Sequence, residues 1–517
     1  MKRTRDRRES RLFARPLGSM PAATATTRQH GTMISTPDLS PLGSKISLGG
    51  SQLSPRIALL DCYHGSNLGD ASIQDSMVAN LGIRLPNTEI YGITLNSKNF
   101  VDQHGVGAFP LAARYIRWYG MSYGRYAEQP KEQESHGRVV AWGREIKSAL
   151  KRVPILNRCL PVLAIIPQEI LHVVGGYRFL RTKDLLVVSG GGQLNEEWGG
   201  AWGQPFALFK WAVLARIARV PYAVASVGTG KVTSGISRLF VASTLRMACY
   251  RSYRDKNTRE IATGLMQGAA ADPVAPDLAF SLPSSELPLP ASIRRIAQGR
   301  AVVAISPISY AKPGRWYFED RALYERYVHE MAQAVSLLLR RGCFLVIVCS
   351  SLGDDETVIP ELLGRVDDES KQRLAAQVYI PSIRTWRHLV AILRDADLLI
   401  ASRLHSTIFG FMSETPVIAI SCERKVDWLM EDVGQTDYLL QFRDFTSQDV
   451  IGALNRLEQL KDIVLQQVAS YRHQILPVAA RQYDILADLA MSSCRRRERG
   501  RVIRRKLALW ASASDRR

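Results

Sequence analysis

No stretch of this 517-residue chain reaches the ~20 consecutive apolar residues that a membrane-spanning helix needs. The nearest candidate, residues 153–174, is interrupted by Arg158, Pro161, Pro167 and Glu169, and reads as a buried or interfacial segment. The N-terminal stretch lacks the apolar core of a secretory signal. Paired cysteines are missing too. The seven, at positions 62, 159, 249, 343, 349, 422 and 494, are scattered, odd in number and free of any CxxC pair. That excludes a disulfide framework, offers no zinc-ligand spacing and favours a reducing compartment, so the expected location is the cytoplasm. No metal site is expected. Neither GxxxxGK[ST] nor a well-fitted GxGxxG occurs, and no ATP or NAD site is claimed.

Acids are scarce relative to bases: 48 Asp and Glu against 68 Lys and Arg, for a net charge of +20. Residues 1–16 carry a net +5 and residues 494–517 a net +8, so 13 of the 20 excess charges sit on the two ends. The body is only mildly basic. Such ends, expected to be disordered, suit a peripheral contact with the inner face of an anionic membrane. Loose nucleic-acid binding or plain solubilisation would use the same charges, and no specific nucleic acid is expected.

A hydrophobic content of 46% and a charged content of 22% fit a globular protein. The length is too great for one core. Residues 1–54 are basic and then rich in Ser, Thr, Gly and Pro, and read as a disordered extension. From 55 to 283, continuous apolar runs read as strands, each ending in a polar or glycine-rich loop and followed by an amphipathic helix. A basic, aromatic-bearing segment near 105–180 reads as an insertion. Residues 282–292, rich in Pro and Ser, mark a linker. The alternation resumes over 293–490, and 491–517 form a basic tail. Continuous apolar strands alternating with helices predict α/β architecture: two Rossmann-like domains whose parallel sheets, covered on both faces, look onto a cleft.

Ligands of open parallel sheets bind beyond the carboxyl ends of the strands, so the loops after strands are where chemistry is expected. In residues 64–72, HGSNLGDAS, Asn67 and Asp70 can orient a ligand or cap the next helix. In SGGGQLNEE, Gly190, Gly191 and Gly192 leave room for a ligand against bare backbone, although a tight turn explains them equally well. Residues 396–425, ADLLIASRLHSTIFGFMSETPVIAISCERK, hold two apolar runs that both finish in polar or charged residues, among them Arg403, His405, Glu423 and Lys425. A plain core has no use for cations there. Arg403 offers a planar fork for phosphate or carboxylate, Lys425 a point charge, and His405 an anion contact or a proton. In SYRDKNTRE, Arg254 either adds a cation from the other domain or pairs with Asp255 at the surface.

At these residues the chain resembles the polysaccharide pyruvyl transferases. The resemblance rests on NLGD at 67–70, SGGGQL at 189–194, YRD at 253–255, PDLAFSLP around Asp277 and, most specifically, SRLHSTIFGFMSETPVIAISCERK at 402–425. It implies a fold like that of GT-B glycosyltransferases, phosphoenolpyruvate as co-substrate and no cofactor. It also implies a glycan or lipid-linked sugar as acceptor, which receives the pyruvyl group as a ketal while phosphate is released. On the same grounds Arg403 and His405 face the donor's anionic groups, with Arg254 and Lys425 assisting. The acid that protonates the donor's methylene carbon is open among Asp70, Glu196 and Glu423. The alternative reading is a GT-B-type glycosyltransferase using a nucleotide sugar.

Overall fold

The computed structural model describes residues 53–61, 65–113, 154–197, 199–268, 272–283, 287–316 and 318–514. Most of the extension at 1–54 and residues 114–153 of the expected insertion lie outside them. In the first half of the chain the strands are β1 (Arg56–Leu60), β2 (Glu89–Thr94), β3 (Ala108–Pro110), β4 (Leu185–Ser189), β5 (Tyr222–Val227) and β6 (Tyr250–Tyr253). The longer helices there are α1 (Leu68–Arg84), α2 (Ser97–His104), α3 (Pro154–Leu180), α4 (Gln204–Ala218), α5 (Gly235–Met247) and α6 (Lys256–Met266). The second half contributes β7 (Val302–Ser306), β8 (Phe344–Ile347), β9 (Val378–Tyr379), β10 (Leu398–Ala401), β11 (Val417–Ser421) and β12 (Leu439–Gln441). Its helices are α7 (Arg321–Arg340), α8 (Trp386–Leu393), α9 (Leu404–Met412), α10 (Arg424–Val433) and α11 (Ser447–Ser514).

The strands form two six-stranded sheets, ordered β3-β2-β1-β4-β5-β6 and β12-β11-β10-β7-β8-β9. Every pairing is parallel. Counted from its own first strand, each sheet has the order 3-2-1-4-5-6, the doubly wound Rossmann arrangement. Two such domains in one chain give the GT-B-like architecture that the sequence predicts. The period of two along each strand explains why the apolar runs are unbroken. Ile57, Leu59, Leu185 and Val187 pack to one side with Ile73 and Met77 of α1. Ala58, Leu60, Leu186 and Val188 pack to the other with Leu208 and Trp211 of α4.

Two segments depart from the sequence reading. The end of the expected insertion is α3, a 27-residue helix that makes the β3-to-β4 crossover, so it belongs to the fold itself. The tail at 491–517, expected to be disordered, continues α11 as far as Ser514. This helix kinks at Leu460. It begins in the C-terminal core with Val450, Leu454 and Leu457. Beyond the kink it crosses to the N-terminal sheet, where Ala479, Tyr483, Leu486 and Ala490 are buried. The tail is held there because Cys494 is buried and Arg497 lies 3.2 Å from the buried Asp184. Residues 479–490, assigned from sequence to the C-terminal domain, therefore complete the other one: their helically spaced apolar side chains cover a sheet face that α1 leaves partly bare.

Candidate active site

Each sheet reverses strand order between its first and fourth strands, β1/β4 and β7/β10, and such switch points are where open parallel sheets bind ligands. The loops after β1, β4 and β10 carry Asn67 and Asp70, the three glycines, and Arg403 with His405. The domains are stitched together at this edge. Leu68 N donates to Ser350 O at 2.9 Å, and Leu352 N donates to Ser66 O at 2.9 Å.

A ring of contacts closes around one point. His405, in the first turn of α9, packs on Gly69 in the first turn of α1; a methyl group at Gly69 would overlap the imidazole. Nε2 of His405 lies 3.7 Å from Oδ2 of Asp277, within ion-pair range but too far for a hydrogen bond, so that nitrogen is buried without a hydrogen-bond partner. Asp277 is buried; it accepts from Ala279 N at 3.0 Å and from Arg254 Nη1 at 3.3 Å. Arg254, immediately after β6, is 7% exposed, and its Nη2 is buried without a partner. Gly228 lies against that guanidinium, and its N donates to Gly191 O at 2.7 Å. Asp70 adjoins Gly191, its Oδ1 3.9 Å from where a Cβ would stand.

An alanine in a helix normally gains up to ~1 kcal/mol over glycine. Gly69→Ala is instead expected to lower activity severely, because the imidazole must move or the domains must part. Turnover and melting temperature check this; a more stable variant with full turnover would show that His405 need not sit there.

Burial favours the neutral form of Asp277, but His405 and Arg254 outweigh it and hold the carboxyl down to about 2. An unfolded aspartate titrates near ~3.9. A depressed folded pKa contributes stability that is present above the unfolded value and is lost as pH falls through the folded one. Between about pH 4 and pH 2 this carboxylate is therefore expected to cost the fold about 2 kcal/mol. Urea titrations across that window should show the loss in the wild type and its absence in Asp277→Asn; identical pH slopes would contradict it.

Across the cleft, Arg403 is bound through Nε and Nη2 to Asp355, the Nη2 contact measuring 2.8 Å, and its guanidinium lies 5.3 Å from the Trp316 ring. Burial would lower its pKa, but Asp355 more than offsets this and the cation is retained. Asp355 also accepts from Ser309 N at 2.9 Å and Ser309 Oγ at 3.0 Å, so its oxygens are well used. Lys425 Nζ lies 2.8 Å from Glu423 Oε2. Burial raises the Glu423 pKa; Lys425, Arg403 and Arg254 together pull it below the ordinary value.

Other residues singled out from sequence serve local structure. Asn67 is the N-cap of α1, its Oδ1 accepting from Gly69 N at 3.0 Å. Gly190 has a φ of +55° and a Cβ there would press on Ile73 and Leu278 at 2.9 Å, so a tight turn accounts for it. Gly191 also has a positive φ, while a Cβ at Gly192 would make only a van der Waals contact with the Asn195 side chain at 4.0 Å. Glu196 accepts from Thr233 N at 2.7 Å and Ser234 N at 3.3 Å ahead of α5. Burial raises its pKa, but hydrogen bonds from Ser237, Thr233 and Ser234 hold it down to about 2. Glu196, Glu197, Gly200, Lys231 and Thr233 line a hollow of about 350 Å³ at the same edge of the N-terminal sheet. Asp70 is the one candidate acid whose carboxylate has no hydrogen bond among the described residues. Sequence reasoning missed the roles of Asp277 and Asp355. Asp277 stood in the quoted PDLAFSLP and Asp355 in the acidic loop SLGDDE after an apolar run at 344–348, but an acid in such a loop has no signal that tells which cation it will meet.

A sequence model described as polysaccharide pyruvyl transferase matches residues 67–424. No curated protein matches the chain. Among solved structures, UDP-GlcNAc 2-epimerase from Neisseria meningitidis, bound to UDP-GlcNAc, superposes with a TM-score of 0.49 at 8% identity, over 84% of this chain and 100% of that one. MnaA of S. aureus with UDP gives 0.47 at 10%, over 80% and 90%. A glycosyltransferase from Rickettsia africae gives 0.47 at 8%, over 85% and 99%.

Proposed function

The chain belongs to the polysaccharide pyruvyl transferase family, and from that premise we propose that it moves the pyruvyl group of phosphoenolpyruvate onto two hydroxyls of a glycan or lipid-linked sugar. The observation that supports this most directly is the buried, unpartnered Nη2 of Arg254, whose Nη1 faces the same Asp277 oxygen as Nε2 of His405. Burying an N–H without a partner is costly, and an anionic oxygen of the donor would satisfy it. Phosphoenolpyruvate has both a phosphate and a carboxylate, and Arg254, Arg403, His405 and Lys425 are the cations ranged for them.

In the proposed reaction a proton adds to the methylene carbon and makes C2 electrophilic. One sugar hydroxyl attacks C2, the C2–O bond to phosphate breaks, and a neighbouring hydroxyl closes the ketal. The two hydroxyl protons end on the new methyl group and on the released phosphate, so charge balances. His405 would protonate the leaving phosphate. Glu423 paired with Lys425, and Glu196 tied to the start of α5, are poor proton donors. Asp70 is left to take the acceptor's proton and pass one to carbon. The hollow beside Lys231 has room for a sugar ring and is proposed for the acceptor. Guanidinium, imidazole and ammonium groups would supply the positive charge without a cofactor.

Purified protein with phosphoenolpyruvate should release phosphate only when an acceptor glycan is present, with a ketal methyl signal appearing in the proton spectrum. His405→Ala should slow this ~10²–10⁴-fold. Transfer from a nucleotide sugar, with no response to phosphoenolpyruvate, would replace this reading with a glycosyltransferase.

A further inference from the structure

Helices α3, α4 and α5 lie side by side over one face of the N-terminal sheet, and their inner surfaces bury Trp211, Leu208 and Val241. The outer surface of such a layer is ordinarily polar. Here it is not. Ile170, Leu171 and Val174 of α3, Ile217 of α4, and Ile236 and Leu239 of α5 are all exposed, Leu171 by 71% and Leu239 by 60%. Trp202, at the turn before α4 and 46% exposed, packs against Phe206 at 5.3 Å and Phe240 at 5.5 Å. The aromatic cluster thus joins the exposed residues of α4 and α5 into one surface.

Its charge has one sign. The three helices contain six Lys or Arg and a single acid, Glu169, which Lys210 engages at 2.6 Å. Arg178, Arg216, Arg238 and Arg246 are exposed with no acid on the same helices to answer them. Exposed leucine and isoleucine gain nothing from nucleic acid, and a second copy of this face would set like charges together. Apolar side chains flanked by uncompensated cations suit the interfacial zone of an anionic bilayer, where the former enter the acyl boundary and the latter meet phosphates.

We propose that this face of α3, α4 and α5 docks the protein on an anionic phospholipid surface, lying in the interface without crossing it. Among the described residues no helix is long and apolar enough to span a membrane. The starts of α4 and α5 lie at the carboxyl edge of the sheet, so the docking face borders the hollow at Lys231 and Thr233. A sugar carried on a lipid would then approach the cleft along the bilayer. This inference does not rest on pyruvyl transfer, since it is read out by binding alone.

The test is flotation of the full chain with vesicles of phosphatidylcholine, with and without phosphatidylglycerol, comparing the wild type with Leu171→Glu/Leu239→Glu. Circular dichroism and activity on a water-soluble acceptor serve as folding controls. The wild type should float with the anionic vesicles and much less with neutral ones, and the double variant should bind at least about tenfold more weakly. Failure of the wild type to float would overturn the proposal. So would a double variant that floats like the wild type, which would assign binding to the basic ends. A wild-type dimer that becomes a monomer in the variant would assign the face to a second copy instead.

Discussion

Arg254→Lys is expected to weaken phosphoenolpyruvate binding by roughly ten- to a hundredfold, the equivalent of the ~1.5–3 kcal/mol of one hydrogen bond to a charged group. Lysine keeps the positive charge opposite Asp277, so the melting temperature should hardly move. What it loses is the fork. In the wild type Nη1 is committed to Asp277 at 3.3 Å and Nε lies 3.7 Å from Asp255, while Nη2 is buried and unpartnered. One ammonium cannot face the carboxylate and the donor in the same planar geometry. Calorimetric titration with phosphoenolpyruvate measures this directly. An unchanged dissociation constant would mean that Nη2 does not address the donor, and the assignment of Arg254 would fall.

The largest effect on stability is expected from Asp355→Ala, about 3–5 kcal/mol. Asp355 is completely buried and holds two nitrogens of Arg403 as well as the backbone and hydroxyl of Ser309. Removing it leaves a guanidinium with 18% side-chain exposure and no counterion. Turnover should fall as well, because the guanidinium would lose the contact that fixes its orientation. Urea denaturation of Asp355→Ala, Arg403→Ala and the double variant checks the pairing. The double variant should be less destabilised than the two singles together, since it leaves no lone buried charge. Simple additivity would show that the two side chains are not energetically coupled.

Much of the architecture was legible because it depends on short-range pattern. The apolar runs read at 398–401 and 416–421 form β10 and, from Val417, β11, and α9 follows β10 where a helix from about His405 is expected. The placement of cations after those strands was equally plain, since a charged residue directly following an apolar run stands out in one dimension. Asn67 read ambiguously between ligand and cap, and the fold uses it as a cap. Glu196 read as a candidate acid, yet the chain returns 37 residues later with Thr233 and Ser234 to occupy it. The tail beyond 490 looked disordered because its basic composition dominates locally; Cys494 and Arg497 acquire partners only when α11 lies across the first sheet.

The sequence by itself determined two parallel α/β domains and the strand-end loops where anion-binding groups stand. Strand and helix periodicity are properties of neighbouring residues. Only the tertiary structure decided which carboxylates those cations meet, Asp355 for Arg403 and Asp277 for Arg254, and that Nη2 of Arg254 stays buried without a partner. Hydrogen bonding acts over ~3 Å, and partners 48 residues apart reach that distance only once the C-terminal sheet has formed and brings the loops after β8 and β10 to one edge.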